Sequence, residues 1–182
     1  THHDMERGHI TLAGATRKGK TVFLKLLITS LICRHPENTK LTLIDLKGGL
    51  AFTRFKNLKQ VETVATDLNS ALKALKSVKN EMEQTKGWFD KNGCEDIKEA
   101  RIDTRHFIIV DEAAQISPNI ITGKEEKEKA RKCEEALSEI ARIGAGLGYR
   151  LVYCSQYPTA DVMNKQIKQN CDTVITYKLR DA

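Results

Sequence analysis

A chain of 182 residues, 40% of them hydrophobic, can bury one substantial core, which predicts a single domain over residues 1–182. The net charge of +6 and pI near 9.0 favour polyanionic partners only slightly, because most of the 30 Lys and Arg are interleaved with 24 Asp and Glu. No run approaches the roughly 20 apolar residues that span a bilayer. Five scattered cysteines with no Cys-x-x-Cys pair indicate neither a disulfide framework nor a zinc site, and fit reduced thiols in a cytoplasmic setting.

The chain begins at Thr1 and stops at Ala182 with no recognisable cap, which reads as a piece of a longer protein. His9 to Ala13 is a short strand that ends on Gly14. From Thr21 to about Arg34 apolar residues are dense enough for a mostly buried helix, broken at His35-Pro36. Leu41 to Asp45 is a second strand, followed by the turn signal Gly48-Gly49, and Gln60 to Val64 is a third. Asp67 can cap a helix whose apolar positions Leu68, Ala71, Leu72, Leu75, Val78 and Met82 recur at helical spacing.

The polar stretch from Lys86 to Thr104, with Gly87 and Gly93, reads as a loop with a short helix at most. Phe107 to Val110 is a continuous apolar run ending in Asp111-Glu112, the pattern of a strand buried on both faces. A charged linker is expected next, then a helix from about Glu125 to Ile143 with Ala130, Cys133, Leu137, Ile140 and Ala141 on one side. Tyr149 to Cys154 and Thr173 to Tyr177 complete the strands. Strands alternating with helices predict an α/β fold, a mostly parallel sheet with helices on both faces, whose ligand lies at the carboxyl ends of the strands.

Four polar features fall just after strands: Gly14, Asp45, Asp111 and Ser155-Gln156. Gly14-Ala15-Thr16-Arg17-Lys18-Gly19-Lys20-Thr21 fits G-x-x-x-x-G-K-[ST] in full, between a strand and a helix. Its glycines let successive N–H groups turn inward on phosphate oxygens, and the helix entered through Thr21-Val22 aims its positive end at the same place. Lys20 adds a cation for the β- and γ-phosphates, and the Thr21 hydroxyl can ligate Mg²⁺. The expected cofactors are therefore ATP and Mg²⁺.

Asp111 would hold the metal with Thr21, and Glu112 can take a proton from the attacking water. Gln156 can sense the γ-phosphate or orient water, and it can equally be an ordinary loop residue. Arg142, near the end of the long helix, is favoured there by the helix dipole. It can also act as an arginine finger on a neighbouring subunit's nucleotide.

The segments around these residues resemble the FtsK/SpoIIIE motor family of the FtsK–HerA group. They are Leu12 to Thr16 before Gly19-Lys20-Thr21-Val22, Leu43-Ile44-Asp45-Leu46-Lys47-Gly48-Gly49, Ile109 to Ala113, Leu137 to Arg142, and Leu151 to Val162 followed by Ile167 to Asn170. The resemblance implies a RecA-like sheet, a hexameric ring, and ATP-driven movement of double-stranded DNA in chromosome partition or conjugative transfer. It also implies Arg142 as a finger acting in trans, Gln156 as a nucleotide sensor and Lys47 at the edge of the site. A full-length protein of this kind can carry a membrane anchor elsewhere.

This chain has Arg17-Lys18 where relatives usually carry Gly-Ser, Ala145 where they often carry arginine, and Arg150 where they often carry histidine. Tyr157, in place of the usual arginine, resembles the branch on mobile elements of Gram-positive bacteria, whose members act as DNA-transfer coupling proteins. Two other readings remain. One is a type VII-like protein-secretion ATPase, and the other is a regulatory nucleotide-binding module whose hydrolysis is weakened by Arg17-Lys18.

Overall fold

The alternating strand and helix signals assemble into one six-stranded parallel sheet with the order β3-β2-β4-β5-β1-β6. The computed structural model describes residues 8–15, 19–48, 50–156 and 164–177. In chain order the elements are β1 (Ile10–Ala13), α1 (Lys20–Arg34), β2 (Thr39–Asp45), β3 (Val61–Ala65), α2 (Leu68–Asn92), β4 (Arg105–Asp111), α3 (Lys124–Ile143), β5 (Tyr149–Ser155), α4 (Lys165–Asn170) and β6 (Thr173–Thr176). Short 3-10 turns lie at Thr53–Phe55 and Ala113–Ile116.

The period-two alternation of the strands feeds two apolar layers. Phe107 and Ile109 of β4, Val152 and Cys154 of β5, and Ile10 and Leu12 of β1 pack toward Leu24, Leu27, Ile28 and Leu31 of α1. The alternate residues, Ile108, Val110, Leu151 and Tyr153, pack against α2, α3 and Ile167 of α4. Every residue of β4 and β5 is buried, as a continuous apolar strand covered on both faces requires. This parity matters for function: Asp111 continues the Phe107–Ile109 series, so its side chain emerges on the α1 side.

Four features differ from the expectations or go beyond them. First, α2 does not end near Lys86: it runs through Gly87 to Asn92, because Phe89 returns to the core at 2% exposure and rewards the extra turns. Asp67 does cap it, in a capping box with Ser70. Second, the segment after Glu112 is not a charged linker. Ala113, Ala114, Ile116 and Ser117 are buried, and the first three form a 3-10 turn packed on the core. Third, α1 is covered on one side only, with Val22 70% and Leu26 62% exposed. Fourth, a short helix the periodicity did not single out, α4, is pinned by the fully buried Ile167 and capped by Asn164, whose side chain accepts from Gln166 N–H at 2.9 Å.

Candidate nucleotide-binding site

The carboxyl ends of β1, β2, β4 and β5 lie side by side, and Gly14, Ala15, Gly19, Lys20, Thr21, Asp111, Glu112 and Gln156 collect there. Gly14 leaves β1 with φ 153°, its N–H donating to the Ser155 carbonyl at 3.3 Å. Gly19 re-enters the helical region from φ 93° as the N-cap of α1. That N-terminus carries no side-chain cap and no acidic residue in its first turn, so dipole and amides face the loop without a competing carboxylate. Thr16, Arg17 and Lys18 lie outside the described residues. Val22 sits in the first turn of α1 with its side chain 70% exposed.

Lys20 is 6% exposed, and its ammonium is stowed on its own loop, donating to the Ala15 carbonyl at 3.0 Å and to the Gly14 carbonyl. A buried ammonium needs such acceptors, and phosphate oxygens would replace them. One strand, β5, separates β1 from β4, and the start of α1 bridges it: Thr21 Oγ1 donates to Asp111 Oδ2 at 3.1 Å.

Burial is the main influence raising the Asp111 pKa above the ordinary carboxylate value. Hydrogen bonds from Thr21 and Cys154 pull it down, and the carboxylates of Asp45 and Glu112 push it up again. The buried Cys154 thiol is itself raised, by desolvation first and by Asp111 next.

Three carboxylates thus share one strand edge. Asp45 is 2% exposed and spends both oxygens on its turn, accepting the N–H groups of Lys47 and Ala51 at 3.0 Å each. Glu112, 4% exposed, adopts a left-handed backbone at φ 59°, ψ 52°. Its Oε2 accepts from Lys47 Nζ at 2.5 Å and from the Gln156 side-chain amide. Hydroxyl and carboxylate paired in a desolvated, acid-rich corner fit a divalent cation. Magnesium is typically held by only one or two protein ligands and completed by phosphate oxygens and water, so the absence, among the described residues, of a cluster of three or more His, Cys, Asp or Glu metal-ligand candidates is compatible with that fit.

Arg142 is not brought to this group. It is exposed in the last turn of α3 and lines a separate cleft of ≈ 320 Å³ with Glu134, Glu135, Ser138, Glu139, Asn164 and Gln166. Two contributors were weakly signalled or missed. Lys47 has only its place in an Asp-x-Lys stretch after a strand to announce it. Tyr177 ends the last strand pattern in the sequence, and its N–H donates to the Ala13 carbonyl at 2.7 Å. A Cβ built on Gly14 would lie 2.6 Å from the Tyr177 Cβ, and one built on Gly19 would lie 3.6 Å from its ring. Tyr177 therefore backs both glycines of the loop, a contact that only the pairing of β1 with β6 creates.

The chain is 28% identical to the DNA translocase FtsK of Chlorobaculum tepidum, across 94% of this chain and 22% of that protein. It is 31% identical to the ESX secretion system protein YukB of Bacillus subtilis, across 99% of this chain and 12% of that protein. The chain thus spans about a fifth or less of the length of these curated relatives. A solved structure of the pCW3 conjugation coupling protein TcpA, in monomer form with ATPγS, superimposes with a TM-score of 0.82 at 26% identity, covering 95% of this chain and 49% of that one. The sheet is that of the RecA-like P-loop ATPases, and the family model described as FtsK/SpoIIIE family matches residues 2–122: the chain belongs to the FtsK/SpoIIIE family.

Proposed function

We propose that this chain is the motor domain of a longer protein, binding ATP with Mg²⁺ and coupling its hydrolysis to translocation of double-stranded DNA. The observation that carries the chemistry is the convergence of Lys20, Thr21, Asp111, Glu112 and Gln156 on one strand edge. In this reading the backbone from Gly14 through Val22, including Ala15, Thr16, Arg17, Lys18 and Gly19, wraps the phosphates. Lys20 exchanges its carbonyl partners for β- and γ-phosphate oxygens. Thr21 and Asp111 would hold Mg²⁺, which neutralises charge on the same oxygens.

Glu112 accepts a proton from the water that attacks the γ-phosphorus as the bond to the β–γ bridging oxygen breaks. Gln156 orients that water. Arg142, on a separate face, serves the nucleotide of an adjacent subunit in a hexameric ring. DNA is the favoured cargo because FtsK translocases and a conjugation coupling protein are among the proteins this chain resembles. Among the described residues no helix is long and apolar enough to cross a membrane, which suits a motor domain working in the cytoplasm, with any anchor elsewhere in the longer protein.

Measurement of ATP turnover by the longer protein with and without duplex DNA tests this reading, and a several-fold stimulation is expected. A second reading, a protein-secretion ATPase, is favoured by the 31% identity to YukB over 99% of the chain. Turnover indifferent to DNA and raised by a secreted polypeptide would replace the first reading with the second.

A further inference from the structure

Resting on the reading of Glu112 as the general base, we propose that Lys47 is a positioning residue that restrains this base, and that its withdrawal limits turnover. Three observations carry this. Lys47 Nζ and the Gln156 amide both donate to one oxygen, Oε2 of Glu112, the ammonium at 2.5 Å. That oxygen already receives two hydrogens, and the ammonium occupies space that an attacking water would need.

The pair is also asymmetric: the Glu112 side chain is 6% exposed and that of Lys47 is 43%. The carboxylate is fixed and the cation can leave. Finally, the two ends are held by their backbones. Glu112 is in a left-handed conformation that a non-glycine residue seldom adopts, directly after the end of β4. Lys47 is anchored at its own N–H by Asp45 Oδ1 at 3.0 Å, so its alkyl arm swings from a fixed point.

A γ-phosphate arriving between Lys20 and Gln156 is a stronger anion than a single carboxylate. It draws the ammonium, with its long flexible arm, away from Oε2. The restraint would therefore be tightest when no triphosphate is present, and Lys47 would couple occupancy of the site to release of the base.

The experiment compares Lys47→Met, Lys47→Arg, Glu112→Gln and the Lys47→Met/Glu112→Gln double variant, in the full chain, by steady-state ATP turnover and by thermal melts without nucleotide. Lys47→Met is expected to raise kcat about two- to fivefold, the range set by an ion pair with one half-exposed partner. KM should change less than about twofold by the same reasoning, and Lys47→Arg should stay near wild type. In the Glu112→Gln background, Lys47→Met should alter neither kcat nor Tm, because the restrained charge is gone.

A kcat that is unchanged or lowered in Lys47→Met, with Glu112→Gln inactive, overturns the restraint and leaves the base assignment standing. Additive shifts in Tm would show that the ion pair does not exist and overturn it as well. Full turnover by Glu112→Gln removes the base assignment itself, and the proposal with it.

Discussion

At Gly14, two constraints coincide. The residue sits at φ 153°, a region that side chains rarely enter, and an added Cβ would meet the Tyr177 Cβ at 2.6 Å. Gly14→Ala is therefore expected to destabilise the fold by about 2 kcal/mol or more, read as a lowered midpoint in chemical denaturation, and to weaken nucleotide binding. An unchanged midpoint would show that Tyr177 does not brace the loop. The motif pattern predicted a glycine here for its backbone freedom, and the structure adds a packing reason that the pattern does not contain. Lys47 shows the reverse: the sequence placed it at the edge of the site through family resemblance, and only the distance to Glu112 gave it a partner.

At the scale of elements, α2 tests how far propensity reaches. Gly87 lies inside the helix with nothing within 4 Å of an added Cβ and no positive φ. Gly87→Ala should stabilise the protein by about 0.5–1 kcal/mol, measurable as a raised denaturation midpoint. A decrease would mean that the helix does not persist through this residue.

The junction of β1 and β5 makes a pH prediction. His9 is 1% exposed and accepts the Leu151 N–H on Nδ1 at 2.9 Å. Burial first, and then the Arg150 charge, push its pKa from 6.5 down to about 4, against a smaller opposing pull from Asp172 and a backbone hydrogen bond. Because the folded pKa is the lower one, the unfolded chain binds the proton more readily. Stability is therefore full above pH 6.5 and declines as pH falls from 6.5 to about 4, by at most about 3 kcal/mol. His9→Asn should flatten that part of the stability–pH curve, and an equally steep decline in the variant would remove His9 as its source.

For the whole molecule, the modest net charge of +6 is spread over a surface laced with Lys–Glu pairs such as Lys129 with Glu125 and Glu126. In the proposed role as a DNA motor, the grip on the duplex rests on contacts to its phosphates. DNA-stimulated turnover is then expected to fall steeply between about 50 and 200 mM salt, while turnover without DNA changes little. Stimulation insensitive to salt would argue against phosphate contacts as the source of the coupling.

Much of this protein was legible in one dimension because the relevant signals are local. The phosphate loop is eight consecutive residues, the apolar run before Asp111 announces a buried central strand, and the capping of α2 needs only Asp67 and Ser70. Those patterns determined the parallel α/β class and the ends of the strands where chemistry can sit. What remained was decided by packing between distant segments. The return of Phe89 to the core extended α2, Ala113 and Ile116 turned an expected linker into buried structure, and the β1–β6 pairing set Tyr177 against the loop. The same tertiary logic carried Thr21 across β5 to Asp111 and closed Lys47 and Gln156 on Glu112, over separations of 90, 65 and 44 residues. Such contacts depend on strand order and on which face each side chain leaves, and no window of local sequence contains either.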